Sequence, residues 1–288
     1  MLLSVCFGVS RIGNFLAKLR LKLLATFLLC GYAQPLSYAF DLSNDPETWG
    51  QEIMDAVKFS ESGYVDSSAN MTMILTGRNG QQSVRELRIK TLEVAEPDDG
   101  DKSMIIFDHP ADVDGTILLT HSHLLEPDDQ WLYLPALKRV KRISSGNKSG
   151  PFMGSEFSYE DFSAQEPKKF EHTWIETVSC PIEQTLVCHV IERRPLYDRS
   201  GYSRQRVWVD ESIRQYRMIE YYDLKGSLLK RLNLTDFKLY NEQYWRAHDY
   251  LMENVQNGKK TRITWKDVSL GNGFDDSDFG SNSLRRTR

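Results

Sequence analysis

The chain has 288 residues, 36 Lys and Arg against 40 Asp and Glu, a formal charge of −4, and four cysteines. The acidic balance argues against a nucleic-acid binder, which needs a basic face. With no internal repeat and no low-complexity linker, a chain of this length reads as one strand-rich domain behind a leader.

The leader comes first. Arg11, Lys18, Arg20 and Lys22 precede the apolar run Leu23 to Gly31, and Ser37-Tyr38-Ala39 places small residues at −3 and −1. This is the pattern of a cleaved secretory signal over residues 1–39, with Phe40 the first mature residue. Lipidation at Cys30 is disfavoured, because Leu28 and Leu29 stand where small residues are needed. The leader carries four basic and no acidic residues, so residues 40–288 hold 32 basic against 40 acidic groups, a charge of −8. Export leaves Cys180 and Cys188, and two nearby cysteines in an oxidising compartment read as one disulfide.

A helix opens the mature chain. Asp45-Pro46-Glu47 supplies a cap, a first-turn proline and an early acid, and Trp49, Ile53, Ala56 and Val57 recur at helical spacing. Strands then dominate. Met71, Met73 and Leu75 alternate before the turn Gly77-Arg78-Asn79-Gly80, and Val84 to Val94 alternates charge with apolar residues. Lys102 to Asp108, Gly115 to Ser122 and a long strand Gln130 to Ile143, broken or bent at Pro135, follow. Ser155 to Phe162 is expected to form a short helix. In the second half Phe170–Val178, Leu186–Arg193, Arg204–Val209, Gln215–Tyr222, Leu228–Tyr240, Tyr244–Asn254 and Lys259–Val268 read as strands. Asp223 to Gly226 and Asn257-Gly258 are turns, and the tail from Gly271 is polar, with Leu284 to Arg288 expected to fray. Many strands joined by short turns predict a mainly β fold with few helices, an antiparallel sheet curved on itself.

No GxSxG, HExxH or P-loop is present, and the six histidines are scattered. His121 and His123 lie on one face of a strand, but two ligands do not make a metal site. Asp98, Asp99 and Asp101, then Asp128 and Asp129, then Asp275, Asp276 and Asp278 read as solvated turns. The chain is therefore read as a non-enzyme with no catalytic residue, metal or cofactor.

The stretch Trp131 to Phe162 carries more. In Trp131-Leu132-Tyr133-Leu134 both faces of a strand are apolar, so it is covered on both sides or lines a cavity. Phe152, Met153, Phe157, Tyr159 and Phe162 suit a lid over that strand, Met and aromatics being able to repack around varied ligands. Lys138, Arg139, Lys141 and Arg142 have two readings: an edge protected from aggregation, or a docking strip for an acidic partner or a lipid headgroup.

WLYLPALKRVKRIS followed by GPFMGSEFSYEDF resembles the outer-membrane lipoprotein-sorting protein family, relatives of the carrier LolA and the receptor LolB. The order of Cys188-His189-Val190-Ile191-Glu192, Val207-Trp208-Val209-Asp210 and Glu220-Tyr221-Tyr222-Asp223 extends the likeness over residues 40–288. The resemblance implies a half-open antiparallel β-barrel with helices on its concave face. It also implies a monomeric periplasmic carrier that touches membranes transiently and holds acyl chains of a lipid or lipoprotein in an apolar cavity. The ligand set expected from it is Trp131, Tyr133, Leu134, Phe152, Met153, Phe157, Tyr159 and Phe162. The family also suggests an inner-membrane transporter of the resistance-nodulation-division (RND) type as partner, at Lys138, Arg139, Lys141 and Arg142. The alternative is a cargo-free accessory subunit of such an exporter. Cys180 departs from the family pattern, and its bond to Cys188 would tie two adjacent strands together.

Overall fold

The computed structural model describes residues 45–94, 99–281 and 284. The expected leader, Asp98 and the last four residues lie outside them. One α-helix, α1 (Pro46–Glu61), starts where Asp45 accepts hydrogen bonds from the Glu47 and Thr48 amides, and it buries Trp49, Gly50, Ile53, Met54 and Val57. The described residues then form thirteen strands. They are β1 (Asp66–Thr76), β2 (Gln82–Leu92), β3 (Asp99–His109), β4 (Ile117–His123), β5 (Asp129–Leu134), β6 (Arg139–Arg142) and β7 (Phe170–Ser179). The rest are β8 (Val187–Pro195), β9 (Arg204–Asp210), β10 (Tyr216–Tyr222), β11 (Leu228–Tyr240), β12 (Tyr244–Asn254) and β13 (Lys260–Leu270).

All thirteen belong to one antiparallel sheet in the order β6-β5-β4-β3-β2-β1-β13-β12-β11-β10-β9-β8-β7. It is an open, LolA-like β-barrel with a single described α-helix. The pairing of β1 with β13 joins two meanders, β1 to β6 and β7 to β13, and leaves β6 and β7 as opposite edges.

Two expectations are corrected here. The stretch Gln130–Ile143 does break at Pro135, but it is a hairpin and not one long strand: Pro135 cannot donate to a ladder, Lys138 turns at φ 48°, and β5 pairs back on β6 with Tyr133 opposite Val140. The helix expected at Ser155–Phe162 is absent. Ser155 is extended (φ −77°, ψ 171°) and Ser158 pairs with Pro151 in a bridge, leaving only 3-10 turns at Phe152–Gly154 and Glu160–Phe162.

Register separates the two faces. On the inner face Trp174, Ile191, Val207, Ile219, Leu232 and Met252 form one row across β7 to β12. Leu87 faces Phe107, and Ile105, Leu118 and Leu132 line up across β3 to β5. The helix covers the β7 end of this face, its Trp49 ring edge-on to Trp174 at 4.8 Å. The outer face of β2 to β6 carries a second core of Leu92, Met104, Ile106, Ile117 and Leu119, closed by Phe279 and Leu284. Leu284 is therefore fully buried rather than frayed. Cys180 and Cys188 form a disulfide across the β7–β8 hairpin, with Cα atoms 5.0 Å apart.

Helix and sheet meet at Gly50, where an added Cβ would lie 2.9 Å from the backbone nitrogens of both Thr173 and Trp174. Gly50→Ala would stabilise a free helix by about 1 kcal/mol. Here the obstacle is backbone, so the substitution is expected to destabilise the protein by about 1–3 kcal/mol in urea unfolding, and a rise in stability would refute this packing. Next to it His172 donates from Nε2 to the Pro167 carbonyl, and burial pushes its pKa from 6.5 down to about 4. Between those values the unfolded chain binds the proton and the folded chain does not. Stability is thus full above pH 6.5 and falls by roughly 3 kcal/mol toward pH 4. The unfolding free-energy difference between wild type and His172→Phe is expected to shrink by that amount from pH 7 to 4, and a constant difference would overturn it.

Candidate functional site

Because β6 and β7 are opposite edges, the connection between them, residues 143–169, has to cross the sheet. Thirteen strands at about 4.8 Å span roughly 58 Å if flat, and an extended chain of this length reaches roughly 90 Å. The slack is folded into a tongue. Phe152 N–H donates to the Phe157 carbonyl (2.7 Å), Tyr159 N–H to Gly150 (3.2 Å) and Glu160 N–H to Lys148 (2.9 Å), so the tongue carries its own backbone bonds. Gly154 is needed at its tip, where φ is 79°.

The tongue is apolar beneath. Phe152 is fully buried, with ring centroids 5.6 Å from Phe107 of the sheet and 4.6 Å from Phe162. Phe157 is buried and lies 5.5 Å from Phe162, and Tyr159 is edge-on to Phe152 at 5.4 Å. In this conformation the rings of the tongue occupy the inner face over Phe107, where the resemblance implies acyl chains. Beside the tongue, between Asp128, Lys148, Glu160 and Lys169, a space of about 30 Å³ remains, room for one water.

The rim is polar. Arg85 donates to the Met153 carbonyl, Gln130 Nε2 to the Tyr159 carbonyl (3.0 Å), Glu156 N–H to Thr261 Oγ1 (3.0 Å), and Asn254 Nδ2 to Glu156 Oε2 (2.8 Å). Two adjacent acids hold the last turn. Asp161 Oδ2 lies 2.5 Å from Lys230 Nζ, with both side chains buried, and its Oδ1 accepts from the Tyr202 hydroxyl at 2.7 Å. The Lys230 ammonium sits 5.2 and 5.1 Å from the ring centres of Tyr202 and Tyr221. Glu160 accepts from the Tyr197 hydroxyl (2.6 Å), Gly201 N–H (2.9 Å) and the Ser200 hydroxyl. Burial raises the Glu160 pKa despite these donors, and burial followed by the Asp161 charge raises those of Tyr202 and Tyr221.

Past the tongue the chain is pinned. Glu166 pairs with Lys58 at 2.8 Å, and Lys169 pairs with Asp128. Burial opposes the charge on Lys58, but Asp101 and Glu166 together hold its pKa above the usual value. Asp128 is buried in an ion pair, which corrects its reading as a solvated turn residue.

The expected ligand set is split between two faces. Phe152, Met153, Phe157, Tyr159 and Phe162 are on the tongue, and Leu134 shares the inward alternation of Leu132. Trp131 and Tyr133 point the other way, into the outer core under Phe274, Phe279 and Leu284, with the Trp131 ring 5.0 Å from His121. Of the two readings left open for this strand, a cover on both sides and a face lining a cavity, this conformation has the first, with a different segment on each side. Lys138, Arg139, Lys141 and Arg142 are exposed on and beside the edge strand β6, and Arg142 pairs with Asp129. His121 bonds the Phe279 carbonyl at 2.7 Å, and no group of three or more His, Cys, Asp or Glu among the described residues is arranged to hold a metal ion. Arg85, Lys230, Tyr202, Glu160 and Asp161 were missed. The one available signal was that Lys230 shares the inward alternation of Leu232 and Leu234.

A family model described as "Uncharacterized protein" matches residues 99–286. No curated protein matches the chain. An outer membrane lipoprotein-sorting protein domain from Vibrio parahaemolyticus is 45% identical, covering 83% of this chain and all of that one, with a TM-score of 0.80. A DUF1329 family protein from Desulfovibrio piger is 28% identical over 84% of this chain and all of its own, with a TM-score of 0.78. A LolA superfamily protein from Nitrosomonas europaea, 16% identical over 81% of this chain and 98% of its own, shares the fold at a TM-score of 0.64. The chain belongs to the family of outer membrane lipoprotein-sorting proteins, and its fold is LolA-like.

Proposed function

We propose that this protein is an exported carrier that shields the acyl part of a lipid or lipoprotein against its inner face, and that the tongue is the cover the cargo displaces. One observation carries the reading: the apolar inner face is closed by a tethered segment outside the sheet, and the phenyl rings of that segment stand where chains would lie. The lipoprotein-sorting name of the Vibrio parahaemolyticus relative agrees with it. The leader pattern at residues 1–39 supports a periplasmic site of action.

The magnitudes permit exchange. Burying a Phe side chain contributes about 1.5–3 kcal/mol, so three contribute roughly 5–9 kcal/mol, and a chain of about a dozen methylenes contributes on the order of 10 kcal/mol. Rim hydrogen bonds add about 0.5–1.5 kcal/mol each. The closed and loaded states therefore lie close in energy, as loading and unloading require. The exposed basic strip of Lys138, Arg139, Lys141 and Arg142 is the surface we assign to transient contact with a membrane or an RND-type transporter. No observation favours a cargo-free accessory subunit over the carrier.

Native mass spectrometry of protein purified from its own envelope, with solvent extraction of the same sample, is expected to show a discrete bound lipid mass. An apo mass that persists after lipid is added back would sink the carrier. Phe152→Ala is expected to cost about 3–5 kcal/mol of stability in urea unfolding while raising affinity for a fluorescent acyl probe several-fold, because the tongue is easier to lift. Loss of stability and of probe binding together would count against a displaceable tongue.

A further inference from the structure

We infer that the cargo is an anionic amphiphile, an acyl lipid whose phosphate or carboxylate head takes the place of the Asp161 carboxylate against Lys230 and Tyr202. The inference rests on the carrier reading and adds the chemistry of the head. The tongue has the plan of such a molecule: three phenyl rings lie beneath it, and a carboxylate beside them sits on an ammonium and a phenol.

The argument turns on what stays behind when the tongue lifts. Lys230 belongs to β11 and shares the inner alternation of Leu232 and Leu234. Its side chain is 5% exposed, and the two oxygens it donates to, Asp161 Oδ2 (2.5 Å) and the Glu156 carbonyl (3.0 Å), both belong to the tongue. Tyr202 likewise gives its hydroxyl proton to Asp161. Lifting the tongue removes these acceptors together. Water replaces them while the groove is open, but acyl chains that refill it strip the water away again. A buried ammonium without a counter-charge is strongly unfavourable. A neutral head leaves it so, and a cationic head makes it worse. An oxyanion at the head of the chain restores the pair. The Glu160 position offers further donors from Tyr197, Ser200 and Gly201, which suits a head with several oxygens.

The test is isothermal titration of the full mature protein with dodecyl phosphate, dodecyl maltoside, dodecyltrimethylammonium and inorganic phosphate, each amphiphile below its micellar concentration. Dodecyl phosphate is expected to bind at least ten-fold more tightly than the neutral and cationic amphiphiles, and inorganic phosphate to bind no more than weakly. Lys230→Met is expected to remove the preference while keeping maltoside binding, and Lys230→Arg to retain it. Tyr202→Phe, which deletes one hydroxyl, is expected to weaken dodecyl phosphate several-fold and leave maltoside unchanged, and it decides the matter if Lys230→Met does not fold. Equal binding of all three amphiphiles, or a preference that survives Lys230→Met and Tyr202→Phe, would overturn the headgroup assignment and leave the carrier standing. Inorganic phosphate binding as tightly as dodecyl phosphate would overturn it in favour of a free-anion site. Failure of every amphiphile to bind would instead remove the carrier reading beneath it.

Discussion

The pairing of β1 with β13 is the constraint on which the rest of the molecule depends. It fuses two meanders so that strands consecutive in the chain, β6 and β7, become opposite edges of one sheet. The connection between them cannot be a turn. It crosses the inner face, and in crossing covers it. The cover is also tethered at both ends. At one end the Ile143 amide bonds the Gln130 carbonyl at 2.8 Å, and at the other Glu166 and Lys169 are held by Lys58 and Asp128. In the proposed exchange the segment that lifts is the tongue between these pins, which keep it beside its seat.

The ionic contacts of the tongue differ in kind from those of the surface. Arg142 with Asp129 is an exposed pair, of the sort that contributes at most about 1 kcal/mol. Lys230 with Asp161 is buried on both sides. Such a pair roughly breaks even against apolar packing, yet removing one partner costs about 3–5 kcal/mol. Under the proposed function such a pair adds little to the closed state and penalises any loaded state that fails to replace the anion.

Local rules made most of the sheet readable. Gly80, Gly226 and Gly258 all adopt the positive φ that the turn sequences promised, and β11 and β12 run between the expected residues. Trp131-Leu132-Tyr133-Leu134 announced a strand covered on both sides or lining a cavity, and both of its faces are covered, Leu132 being buried and its three neighbours half-buried. Alternation cannot say which distant segment covers which side, because that is decided by topology. Trp131 and Tyr133 were therefore grouped with the tongue although register places them opposite. The tail was misread for a compositional reason. Phe274, Phe279 and Leu284 are dilute among Asp, Ser, Asn and Gly, and no helical or strand period links them. Lys230 and Arg85 were hidden because a charged residue in a strand reads by default as facing solvent.

The two covers of this sheet differ in how they are held. The outer cover, the tail, is anchored by a carboxylate in an ordinary structural role. Asp66 accepts the backbone amides of Asn272 (2.6 Å), Gly273 (2.9 Å) and Phe274 (3.3 Å), groups the chain always carries. Phe279 and Leu284 then complete a core with no buried charge among its members. Nothing there is left in need if the tail stays, and no small ligand reproduces a run of backbone amides. The inner cover reverses both features. The backbone–backbone bonds of the tongue are internal to it, and its contacts with the sheet run through side chains, single carbonyls and the Glu156 amide, groups that an amphiphile or water can replace. A segment that keeps its own structure, and whose seat is complementary to a separate molecule, can be exchanged for that molecule without unfolding either part. The outer cover lacks that property, and so Trp131 and Tyr133, which pack against the outer core, fall outside the proposed site.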